Sequence, residues 1–148
     1  VAWFRWGRRP GGVLPLSEGE WEWVLGNLGV LGDLGVDVGD GGWLGEFYDA
    51  QLDEWGVGGE NVGLDPNPTI NLIGLGLGEH LVRRCGLRWV VVEDGQGAEI
   101  AVYGEVGDVL IYPTNVVAKR WVVRERGFLP GFVDDVVRRV DGIRGTAK

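Results

Sequence analysis

From Leu16 onward the apolar residues fall on a helical rhythm: Trp21, Val24, Leu25, Leu28 and Leu31 recur at three- and four-residue steps. Ser17 and Glu20 form a capping box ahead of this run, because a serine hydroxyl can accept the third helical amide while the glutamate reaches back to the cap. Leu16 and Trp21 stand at the hydrophobic-staple positions. The spacing predicts a helix over 16–31 with Trp21 turned inward. A glycine-aspartate loop over 32–42 leads to a second helical pattern at Trp43, Leu44, Phe47, Tyr48, Leu52 and Trp55. Glu46, Asp49, Gln51, Asp53 and Glu54 lie mostly opposite that apolar face. Residues 56–65 are glycine-rich and aperiodic, which predicts a loop and the expected hinge.

Asp65-Pro66-Asn67-Pro68 reads as a turn that places Asn67 as a helix cap and Pro68 at the first helical position. The helix expected over 68–85 is followed by Gly86, where a left-handed cap belongs. Three strands are predicted at 87–93, 98–104 and 108–113, with Asp94-Gly95 as the strongest hairpin signal. Residues 116–124 fit either a fourth strand or a short helical turn. The extended case is the expectation here. It sends Lys119 and Trp121 to one exposed face and Arg120 to the other, against an acid. Leu129, Phe132, Val133, Val136, Val137 and Val140 then share one face of a closing helix over 128–141. The pattern predicts an α+β fold: a small antiparallel sheet of three to four strands with helices packed on one face. Residues 1–15 read as a tail and 16–148 as a single domain, with a helical part at 16–60 and a core at 65–141.

Composition narrows the function. The 148 residues are 45% hydrophobic and 24% charged, which suits a folded domain and no membrane span. A net charge of −8 disfavours a general grip on nucleic acid, whose phosphates demand a basic face. Arg5, Arg8 and Arg9 are followed only by Val13-Leu14-Pro15-Leu16, short of the apolar stretch of about 7–15 residues in a secretory signal. That and a single cysteine, Cys85, point to a cytoplasmic protein. The 28 glycines, and arginine in place of nearly all lysine, match the codon bias of a GC-rich genome, so many glycines reflect drift.

Catalytic residue types are scarce. His80 is the only histidine and Ser17 the only serine, and Ser17 already has a capping role, so neither a multi-histidine metal site nor a Ser-His-acid triad is expected. His80 and Cys85 lie about 140° apart on an ideal helix, which argues against a dyad. Cys85 reads as a small buried apolar residue and His80 as a hydrogen-bonded, partly buried one. Gly74-Leu75-Gly76-Leu77-Gly78 lacks the spacing and the preceding strand of a dinucleotide-binding loop, so its glycines are read as sites of close helix packing. No cofactor is expected. Trp21, Trp43 and Trp89 are assigned to the core, and Trp3, Trp6, Trp23 and Trp121 to the surface. Lys119, Arg120, Arg124 and Arg126, beside Trp121, form the densest basic cluster in an acidic chain and a candidate grip for an anionic group.

Several short motifs then combine. Asp65-Pro66-Asn67-Pro68, Asn71-Leu72-Ile73-Gly74, Gly78-Glu79-His80-Leu81, Gly86-Leu87-Arg88-Trp89, the turn from Asp94 to Glu99, and Tyr112-Pro113 through Lys119-Arg120 resemble domain-of-unknown-function family 3806 over about residues 65–130. The resemblance implies a bacterial origin and an α+β domain, and brings no activity or catalytic residue. The expected function is a cytoplasmic, non-enzymatic protein-interaction or immunity-type domain, with Lys119, Arg120, Trp121, Trp89 and Glu79 as binding residues. Its expected partner is another protein, not nucleic acid or a membrane. The alternative is a small-ligand-binding or hydrolytic enzyme using sheet-end acids such as Glu93, Glu99 and Asp108.

Overall fold

A computed structural model describes residues 4–5, 12–93 and 97–147. Ten elements follow in order: β1 (Phe4–Arg5), β2 (Val13–Leu14), α1 (Glu18–Asp33), α2 (Gly41–Glu54), α3 (Asn67–Cys85), β3 (Arg88–Glu93), β4 (Ala98–Gly104), β5 (Val109–Ile111), α4 (Pro113–Val122) and α5 (Phe128–Ala147). The expected α+β architecture holds. The three predicted strands form the antiparallel centre of the sheet, and two-residue strands extend both edges to give the order β1-β5-β4-β3-β2. The Asp94-Gly95 turn, Trp3 and Trp6 lie outside the described residues.

Local signals account for most boundaries. Glu20 N donates to Ser17 Oγ at 3.2 Å and Ser17 N to Glu20 Oε1 at 2.7 Å, which completes the capping box of α1. Asp40 caps α2 by accepting from the amides of Gly42 and Trp43. α3 begins one residue before the expected position, with Asp65 accepting the Asn67 amide at 3.0 Å. Gly86 closes it at φ 67°, a conformation glycine adopts without a Cβ clash.

The glycines of α3 set the layering. A Cβ on Gly74 would lie 2.6 Å from Thr114 Cα, and one on Gly78 would overlap the Trp89 ring, so this face lies close against α4 and the sheet. A Cβ on Gly76 would lie 2.8 Å from Leu31 Cδ1 and 3.2 Å from Leu44 Cδ1, on the side packed by α1 and α2. α3 is therefore a central helix between two layers, and its glycines are packing sites, as their spacing predicted.

Strand alternation divides the apolar side chains of the sheet between its two faces. Trp89, Val91, Val102, Val109 and Ile111 join the helices in the main core. Val90, Val92, Ala101, Tyr103, Leu110 and Tyr112 form a second buried cluster on the other face, with Val13 packed against it.

Two expectations need correction. Residues 113–122 are helical rather than extended, because Pro113 stands at the first turn of α4, where its missing N–H costs nothing. Lys119 is consequently exposed on the helix while Trp121 is buried to 6% exposure, and the two share no surface. Conversely, Trp21 and Trp43, assigned to the core, are 39% and 45% exposed.

Candidate functional site

The residues expected to bind a partner fall into two separate places. Trp89 is buried at the start of β3, and its Nε1 donates to Glu79 Oε1 at 3.0 Å. Glu79 also accepts from Arg83 Nε at 2.8 Å, one turn further along α3. These two residues thus bridge strand and helix.

The basic cluster behaves differently from an anion grip. Arg124 donates to the Leu52 carbonyl oxygen, and Arg126 pairs with Asp53 and reaches the Asp49 carbonyl. Gly127 N donates to Asp49 Oδ1 at 2.9 Å. All of these acceptors belong to the last turns of α2, where unpaired carbonyls and the negative end of the helix dipole favour cations. Arg120 stacks over Phe128 at 5.6 Å and lies 3.8 Å from Glu125. Trp121 meets Trp55 and Tyr48 edge to face, at centroid distances of 5.7 and 6.0 Å. The cluster between α4 and α5 therefore fastens the C-terminal part of the fold to α2.

The sheet-end acids do not converge. Glu93 and Glu99 lie at one end of the β3–β4 pair, while Asp108 follows the other end of β4. At roughly 3.4 Å per strand residue the two ends are more than about 15 Å apart. Glu99 accepts from Asn115 at 3.3 Å, and Asp108 accepts from the Tyr103 hydroxyl at 2.5 Å. Among the described residues no group of three or more His, Cys, Asp or Glu side chains could hold a metal ion. No described helix is long and apolar enough to cross a membrane.

The motifs of the central segment are now placed on α3, the three central strands and α4. Residues 60–128 match the model of a domain of unknown function, DUF3806. No curated protein and no solved structure matches the chain. The DUF3806 segment contains α3 to α4, so α1, α2 and nearly all of α5 lie outside it.

The helices outside that segment carry a surface that helical periodicity alone did not isolate. Trp23, Val30 and Leu34 lie within about 40° of one another around α1, and they are 42%, 47% and 57% exposed. The stripe leads to a groove of about 210 Å³ lined by Leu34, Val36, Trp43, Glu46, Phe47 and Ala50. Trp43 forms one wall and is anchored there by Nε1, which donates to the Gly35 carbonyl at 2.6 Å. The surroundings are acidic. From Pro10 to Val82 the sequence has no lysine or arginine, while Glu18, Glu20, Glu22, Asp33, Asp37, Asp40 and Glu46 occur on α1, the α1–α2 connection and the first half of α2.

Proposed function

We propose that this is a cytoplasmic, non-enzymatic protein-interaction domain of bacterial origin that masks a basic partner protein through the acidic, tryptophan-bearing surface of α1 and α2. The observation that carries this reading is the exposed stripe Trp23–Val30–Leu34 running into the Trp43 groove, on helices drawn from a stretch of sequence, Pro10 to Val82, that has no lysine or arginine. Partly exposed indoles suit the anchoring contacts of protein interfaces, and a field of one sign steers a partner of the other. A groove of about 210 Å³ is smaller than the 300–1,000 Å³ usual for small-ligand sites. It suits one anchoring side chain of a protein. The lone, buried Cys85 is compatible with a reducing compartment.

Copurification followed by salt titration tests the reading. The expected result is a stoichiometric basic protein that is released as ionic strength rises and no longer recovered with Leu34→Glu. Recovery of no such protein, or equal recovery with Leu34→Glu at an unchanged melting temperature, would overturn it.

A further inference from the structure

The groove beside Trp43 has a polarity that selects its occupant. Trp43, Glu46, Phe47 and Ala50 stand at i, i+3, i+4 and i+7 of α2, so they share one helical face. Leu34 and Val36, from the chain just after α1, close the other side. Val36 is buried and Phe47 half-buried, while Leu34 and Trp43 stand exposed.

Every lining side chain except Glu46 is apolar or aromatic. The indole N–H of Trp43 donates to the Gly35 carbonyl at 2.6 Å, so the ring offers the groove its carbon skeleton and not a donor. The Glu46 carboxylate can only accept. It is exposed and forms no ion pair among the described residues. An occupant that uses the whole groove is therefore apolar along its length and a donor at its tip.

Few side chains meet both conditions. An acidic one would bring like charge to Glu46. A wholly aliphatic one would fill the groove and leave the carboxylate unused. Lysine has the apolar stem, but its ammonium is a strongly hydrated point charge. Arginine has the stem and a planar, weakly hydrated guanidinium, which stacks on aromatic faces and bonds a carboxylate through two parallel N–H groups. Trp43 and Glu46 are neighbours on adjacent turns, so one guanidinium can engage both.

We propose that the groove takes the side chain of an arginine, with its stem against Leu34, Val36 and Phe47 and its guanidinium on the Trp43 ring and the Glu46 carboxylate. This anchor rests on the interaction reading above, which makes a basic partner protein the source of the arginine.

The test titrates the full chain with blocked tripeptides, acetyl-Gly-X-Gly-amide, in which X is arginine, lysine, citrulline or norleucine. Citrulline keeps the shape of arginine without the charge, and norleucine keeps only a stem. The readout is the Trp43 indole N–H signal, identified by its loss in Trp43→Phe. The arginine peptide should shift it saturably, binding about tenfold more tightly than the citrulline and norleucine peptides and severalfold more tightly than the lysine peptide. Glu46→Gln, at an exposed position, should keep the melting temperature and remove the preference for arginine over citrulline. Equal binding of citrulline or norleucine, an arginine preference that survives Glu46→Gln, or no shift with any peptide would overturn the proposal. A basic partner captured through Leu34, with no arginine preference among the peptides, strikes the anchor and leaves the interaction reading. An arginine preference with no captured partner strikes the interaction reading and leaves the groove's selectivity.

Discussion

Glu79 Oε1 accepts the indole N–H of Trp89 at 3.0 Å, across the junction between the central helix and the first central strand. The contact separates two roles of one side chain. Glu79→Gln keeps a carbonyl acceptor for the indole and loses the pair with Arg83, whose side chain is 56% exposed. Such a pair contributes no more than about 1 kcal/mol. Glu79→Ala leaves the indole N–H of a buried tryptophan unpaired, at a cost of about 1–3 kcal/mol. Urea unfolding should therefore rank the parent and Glu79→Gln close together and Glu79→Ala well below. Equal losses in both variants would show that charge, not the indole bond, matters.

The same glycine-to-alanine change should have opposite signs on two helices. Around Gly26 and Gly29 of α1 an added methyl meets nothing within 4 Å. Replacement there should stabilise by up to about 1 kcal/mol per site, from helix propensity alone. On α3, a methyl at Gly74 meets the backbone of Thr114 at 2.6 Å, and one at Gly78 meets the rigid rings of Trp89 and Pro113. Overpacking of this kind costs about 1–3 kcal/mol. Melting temperatures of the four single variants decide the matter, and a stabilising Gly78→Ala would refute the close approach.

These glycines also show where sequence reading succeeds. Their four-residue spacing gave the packing role on α3, and the Ser17–Glu20 box gave the start of α1, because both signals are local. The Tyr112-Pro113 pair has the pattern of a strand end, yet Pro113 starts a helix just as Pro68 does. A proline at the first helical turn and a proline leaving a strand look alike until the following residues find their contacts. Val116, Val117 and Trp121 make that choice by burying one helical face. Periodicity assigned Trp43 to the core, but its place in the first turn of α2 lets the indole turn outward to the Gly35 carbonyl. The partner of His80 was illegible for a different reason. Its Nδ1 meets the carbonyl of Val38, 42 residues away.

Tyr48 supplies a pH dependence. Burial, reinforced by Asp49 and Glu125, pushes its phenol from the usual 10.0 up to about 12. The folded state thus holds the proton more tightly than the unfolded chain. Its contribution is complete below about pH 10 and is lost as pH rises toward about 12, on the order of 2–3 kcal/mol in full. The hydroxyl has no hydrogen-bond partner, so Tyr48→Phe should be near neutral or stabilising at pH 7. Unfolding midpoints of parent and variant should separate above pH 10, with the parent falling faster. Parallel curves would sink the assignment.

Burial should also silence Cys85. Desolvation raises its thiol pKa, with Arg144 opposing and Asp141 adding, so the reactive thiolate is scarcer than in a free cysteine at the same pH. The side chain is buried as well. A thiol reagent at pH 8 should label the native chain far more slowly than the urea-unfolded chain. Comparable rates would mean that the end of α3 opens readily.

Lys119 and Trp121 provide the sharpest contrast, because they are two residues apart and do unrelated work. Lys119 lies exposed on α4, and exposed substitutions usually change stability by no more than about 0.5 kcal/mol. Lys119→Glu should leave the melting temperature in place and, since the proposed docking stripe lies on α1 and α2, leave partner capture intact. Trp121 is wedged edge to face against Trp55 and Tyr48, joining α4 to α2. Trp121→Ala should cost about 3–5 kcal/mol, the range for truncating a large buried aromatic. Trp23→Ala, on the exposed stripe, should do the reverse and weaken capture with little loss of stability. A Lys119→Glu chain that folds normally and loses its partner would move the binding surface back to α4.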